Sequence, residues 1–227
     1  MSIVTNQVHG GSKALRLTYQ GVHVNDNSNS RLIKSFAAAP EIYARYYYRT
    51  EPIPPATQSG YTAITAKQHY LKVDGTSPDG YPNFVINHFW GSRELAFSVQ
   101  EAFDCPPVYL GGPGCPNDYG NMASVPLQDN RWYCIEYHIK MNTPNVANGV
   151  HEIWVDGVQT FGLTNRIFRD TVHANAAFTE LTVYRQGSDD MYRYEDDFVL
   201  ATTRVGCSGN PSADSTPPRA PIGLSLQ

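Results

Sequence analysis

Nine side chains able to hold an anion or move a proton fall in stretches of this chain that read as strands. They are Arg45, Lys67, His69, Asn87, His88, His138, Lys140, Tyr184 and Arg185. Arg, Lys, His and Asn neutralise an anionic group through N–H donors. His, Lys or Tyr can take a proton or return one. Strand side chains alternate between faces, so residues far apart in sequence can meet on one surface of a sheet. Other chemistries lack their marks. There is no G-x-S-x-G elbow, no H-E-x-x-H, no paired C-x-x-C, no Gly-rich phosphate loop and no E-x-D-x-x-E strand.

The elements that must position these groups are short strands. In Arg131–Gln159, Tyr133, Ile135, Tyr137, Ile139 and Met141 alternate with Cys134, Glu136, His138 and Lys140. A period of two marks a half-buried strand, here with Glu136, His138 and Lys140 as a polar strip. MNTPNVANG breaks the pattern. His151–Val155 resumes it, and Asp156-Gly157 signals a tight turn into another strand. Further strands are expected in GGSKALRLTY (10–19), EIYARYYYRT (41–50), KQHYLKVDG (67–75), NFVINHFW (83–90), ELAFSVQEA (94–102), FTELTVYRQG (178–187) and RYEDDFVLATT (193–203). EIYARYYYRT sets Tyr43, Arg45, Tyr47 and Arg49 on one face. NFVINHFW and ELAFSVQEA form an antiparallel pair joined by Gly91-Ser92. Residues 20–30, 52–60 and 103–130 read as loops and RIFRDT (166–171) as a short helical turn. With no sustained helical period, the chain is all-β, an antiparallel β-sandwich or jelly roll over about residues 10–207. Ile135, Tyr137, Ile139, Ile153, Val155, Leu181 and Val183 are expected inward.

The chain has 227 residues, enough for one large β-domain, with 12% aromatic and 17% charged residues. A net charge of −4 carries no basic footprint, so nucleic acid is not an expected partner. No apolar run is long enough to span a membrane, and Met1-Ser2 opens on polar sequence with no signal peptide in view. Cys105 and Cys115 bracket PPVYLGGPG, a Pro/Gly loop that a disulfide would order, and they are expected to be bonded. Cys134 and Cys207 either pair or stay buried thiols. Disulfides imply an oxidising, extracellular setting. Residues 208–227 turn Ser- and Pro-rich and read as a linker or a disordered terminus. Their end, TPPRAPIGLSLQ, resembles the entry to a fibronectin type III domain.

The run from Trp132 to Gly157 (W-x3-E-x3-K, then N-G and I-W-V-D-G) is similar to the hairpin of concanavalin-like jelly-roll polysaccharide lyases, the alginate and glucuronan lyases among them. EIYARYYYRT and YRYEDDFVLATTRVG (192–206) resemble early and final strands of the same group. The alginate-lyase signatures R-x-E-L, Q-I-H and Y-F-K-x-G do not occur, so the sugar stays open.

The resemblance implies a secreted, monomeric enzyme acting on an acidic polysaccharide by β-elimination. A uronate carboxylate is neutralised, a base takes the C5 proton, and an acid protonates the departing C4 oxygen. Among this chain's residues, His69 or His138 would be the base, Tyr184 the acid, and Arg45, Lys67 or Asn87 the neutraliser. Tyr47, His88, Glu136, Lys140 and Arg185 would bind substrate. A His among apolar residues, as His88 is in NFVINHFW, is more often a hydrogen-bonded core residue, and His138 with Glu136 also reads as a surface pair. No cofactor is required. Asp196 and Asp197 could ligate a structural Ca²⁺ through hard oxygens. The same jelly roll could instead serve as a non-catalytic carbohydrate-binding module of a multi-modular extracellular protein.

Overall fold

A computed structural model describes residues 1–19, 30–52, 65–74, 83–89, 94–96, 98–101, 124–166, 168–169, 171, 174–186, 191–207 and 225–226. Its strands, in chain order, are β1 (Ser2–Val4), β2 (Ala14–Tyr19), β3 (Ser30–Ala39), β4 (Glu41–Thr50), β5 (Thr65–Asp74), β6 (Asn83–Phe89), β7 (Glu94–Ala96), β8 (Ser98–Glu101), β9 (Ser124–Pro126), β10 (Tyr133–Lys140), β11 (Gly149–Val155), β12 (Val158–Arg166), β13 (Ala177–Gln186), β14 (Met191–Ala201) and β15 (Ser225–Leu226). All pairings are antiparallel. A seven-stranded sheet runs β1-β2-β14-β4-β10-β11-β12 and a six-stranded sheet runs β15-β3-β13-β5-β6-β8. A small ladder joins β7 to β9. No helix among the described residues is long and apolar enough to cross a membrane.

Alternation builds the core. Ile42, Ala44, Tyr46 and Tyr48 of β4 stand opposite Ile139, Tyr137, Ile135 and Tyr133 of β10. Ile135 and Tyr137 in turn face Val155 and Ile153 of β11. Leu71, Phe178 and Leu181 meet them from the six-stranded sheet, and Phe168 and Ala176 close one side. Each apolar side chain removed from water here contributes roughly 1.5–3 kcal/mol. All seven residues expected inward are buried.

Asp156-Gly157 forms the expected turn, with φ of 50° and 82° and Val155 opposite Val158. Positive φ at both central residues is the type I′ hairpin turn. Four expectations differ. β3 occupies residues 30–39, where no strand was read, and β1 precedes the first strand read. ELAFSVQEA divides: β8 pairs with β6, whereas β7 pairs with β9, inside the span read as a loop. Phe168 and Arg169 are not helical; their N–H groups donate to Asn142 Oδ1 at 2.6 and 2.8 Å.

Cys134 and Cys207 are bonded. Cys105 and Cys115 lie outside the described residues. So does most of the Ser/Pro-rich tail, of which β15 pairs with the edge of β3.

Candidate active site

The outer face of the seven-stranded sheet gathers Tyr43, Arg45, Tyr47, Arg49, Cys134, Glu136, His138 and Lys140, as the alternation of β4 and β10 dictates. This face is largely covered. Glu136 is fully buried; it accepts hydrogen bonds from the N–H groups of Val205 (2.7 Å) and Gly206 (3.1 Å), and Arg204 Nε lies 3.5 Å away. Arg204 also stacks over Trp154. At the other side the N-terminal segment crosses: His9 stacks on Tyr47 at 3.5 Å, and Arg49 donates to Gln7 and to Asn130. Glu136 is therefore not part of a groove wall, because residues 204–206 lie across it.

His138 does not pair with Glu136. Its Nε2 is 2.9 Å from Glu41 and its Nδ1 2.8 Å from Glu152, and its ring stacks on Tyr43. With both nitrogens engaged and 5% of its surface exposed, it is a clamp across β4, β10 and β11 rather than a base facing substrate. Asp196 and Asp197 are likewise engaged. Asp196 Oδ2 accepts from the N–H of His9 (2.7 Å) and Gly10 (3.2 Å), and Asp197 Oδ2 meets His9 Nδ1 at 2.7 Å. Burial pushes the Asp196 carboxyl up, against the pull of these donors. Among the described residues no three metal-ligating side chains converge to hold an ion.

His69 corrects the sequence reading most sharply. It stands in register between Val183 and Ile86, shares the inward face with Leu71, and has 0% exposure. Its Nε2–H donates to Glu195 of the facing sheet at 3.0 Å, and its Nδ1 lies 3.4 Å from the Tyr137 hydroxyl. Glu195 is ion-paired with Arg193 at 3.1 Å. Burial pushes the Glu195 carboxyl up, but the charges of His69 and Arg193 and the His69 hydrogen bond outweigh it, so its pKa sits below the usual value. Burial and the Glu195 charge hold Tyr137 well above the usual phenol pKa, so its O–H persists as a donor. This cluster lies inside the sandwich, where no polymer reaches. His69 and His138 thus sit on different sheets, one in the core and one on a covered face, and neither faces a groove.

The six-stranded sheet brings the remaining candidates together through its backbone. On the β13 side of β5, His69 pairs with Val183 and Lys67 with Gln186, so Tyr184 and Arg185 face a single residue, Gln68. On the β6 side, His69 pairs with Ile86 and Lys67 with Asn87, so Gln68 is the extra residue. The ladders on both flanks of β5 slip at the same point. Such bulges re-aim side chains and are over-represented beside active sites. Lys67, Asn87, Tyr184 and Arg185 all stand within a rung of this double bulge, and His88 pairs with Ala66 next to it. For these five residues the backbone alone is described.

No family model matches the chain, and no curated protein matches it. Solved structures do. An alginate lyase from Aplysia kurodai aligns at a TM-score of 0.58 and 15% identity, over 89% of this chain and 87% of that one. An endo-β-1,4-glucuronan lyase from Trichoderma reesei aligns at 0.58 and 14%, over 89% and 86%. The fold is that of the jelly-roll polysaccharide lyases. A cellulose-induced protein also matches, at a TM-score of 0.60 and 16% identity, over 91% of this chain and 87% of that one. At such identities the jelly-roll lyase likeness is one of architecture.

Gln68, Gln186, Glu195 and Arg193 are not among the sequence candidates, and Tyr137 reads there as a core residue alone. The bulge residues carry no local signal, since a register slip shows only once both partner strands are known. Glu195 stands beside Asp196 and Asp197 in sequence, and the strict alternation of β14 up to Asp196 separates it onto the inner face.

Proposed function

We propose that the protein is a secreted polysaccharide lyase that cleaves a uronate-containing chain by β-elimination at the double bulge of β5. The observation that carries this reading is the coincidence of both register slips at Gln68, which brings Lys67, Asn87, Tyr184 and Arg185 to adjacent rungs. Solved structures of the same fold include an alginate lyase and a glucuronan lyase, both acting on polyuronates. The Cys134–Cys207 bond favours an oxidising, extracellular setting.

In this mechanism Asn87 and Arg185 donate to the uronate carboxylate and stabilise the charge that builds on it as the C5 proton leaves. Lys67, as the free amine, takes that proton. The C5–H electron pair becomes the C4–C5 double bond, the C4–O bond breaks, and Tyr184 gives its proton to the departing oxygen. The products are a new chain end and a 4,5-unsaturated uronate.

The test is to incubate the protein with a panel of polyuronates and follow the absorbance of the unsaturated product. Saturable product formation from at least one polymer is expected. Retained binding with no unsaturated product from any polymer would sink the enzyme reading and leave the carbohydrate-binding module.

A further inference from the structure

We infer that His69 is a positioning residue for this site, acting through the backbone of β5 from inside the sandwich; this rests on the lyase reading above. In both ladders His69 is the last residue in regular register before the slip at Gln68. That rung is also where β5 is bonded to the opposite sheet. His69 Nε2 donates to Glu195 at 3.0 Å, Arg193 holds Glu195 from the other side at 3.1 Å, and Tyr137 faces Nδ1. Phe198 packs its ring edge-on to His69 at 5.7 Å, from a second bulge in β14.

A bulge lacks regular ladder bonds, so neighbouring rungs must fix it. Here that rung is anchored by a charged hydrogen bond in the core, where such bonds are strong and strongly directional. The inward imidazole therefore sets where the backbone leaves register, and so where Lys67, Tyr184 and Asn87 stand relative to one another. A shift of about 1 Å at a reacting group can cost 10²-fold in rate.

Three variants test this: His69→Leu, the isosteric Glu195→Gln, and His69→Gln as the conservative partner that keeps an N–H donor. For His69→Leu, kcat should fall roughly 10- to 100-fold with KM within about twofold. His69→Gln should recover part of that loss, and the shape of the pH–rate profile should be unchanged in every variant. Amide exchange should rise at residues 67–69 and 183–186 and stay unchanged in β10 and β11. If His69→Leu does not fold, Glu195→Gln must show the same exchange pattern with a smaller kcat loss. A folded His69→Leu with wild-type kcat, or with exchange unchanged at the bulge, overturns the inference. So does loss of one limb of the pH profile, which would make His69 itself a titrating catalytic group. Wild-type protein without turnover overturns the lyase reading, and the exchange result still decides whether His69 anchors the bulge.

Discussion

Cys134 and Cys207 are joined across 73 residues, and the bond holds residues 204–207 over the buried carboxylate of Glu136. Glu136 would otherwise be a charge in the sheet without donors, so the cover and the acid stabilise each other. Loop-closure entropy for a bond of this span is worth about 4 kcal/mol. The double variant Cys134→Ala/Cys207→Ala should lower the calorimetric midpoint by on the order of 10 °C. A change within one or two degrees would show that Glu136 alone holds the cover.

The depressed pKa of Glu195 gives stability a defined pH dependence. Its folded value lies below the ordinary 4.5, so the contribution is fully present above that pH and is lost as pH falls through the lowered value. Protonation also leaves Arg193 buried beside a neutral acid. Acid titration of unfolding free energy should therefore be flatter below pH 4.5 in Glu195→Gln than in the wild type. Identical acid limbs would refute the coupling.

Gly157 is strained for any other residue by backbone alone. A Cβ there would meet nothing within 4 Å, yet φ is +82°. Gly157→Val should cost about 1–2 kcal/mol, read as a lower urea midpoint with unchanged slope. A neutral substitution would mean that the β11–β12 hairpin does not need its type I′ geometry.

Loss of a group that exchanges a proton with substrate typically costs 10²–10⁴-fold. Tyr184→Phe and Lys67→Ala should each reduce turnover by roughly that amount while leaving the far-ultraviolet circular dichroism intact. The combined variant should fall well short of the product of the two losses, as expected for residues acting in one step. Full activity in either single variant would remove that residue from the mechanism.

The parts of the molecule legible in the sequence are those where two neighbours decide the outcome. Ile135, Tyr137 and Ile139 face the core because a strand has only two faces, and Asp156-Gly157 turns because few residues tolerate positive φ. What was not legible depends on a third element. Glu136 and His138 alternate correctly with the core, yet residues 204–206 cover Glu136, and Glu41, Glu152 and the Tyr43 ring enclose His138. His69 reads as a candidate base in the sequence because the partner that holds it in the core, Glu195, stands 126 positions later. The bulge at Gln68 arises from two pairings at once, so no single-strand pattern contains it.

The order of strands also sets a clock on biosynthesis. β14 lies between β2 and β4, so two strands made early keep a gap that the last long strand must fill. Roughly 140 residues separate the end of β4 from the start of β14. At about 5–20 residues per second, the ribosome needs on the order of ten seconds to supply them. During that interval the facing edges of β2 and β4 are unpaired templates for other chains. This topology makes closure of the seven-stranded sheet a late, non-local step of folding.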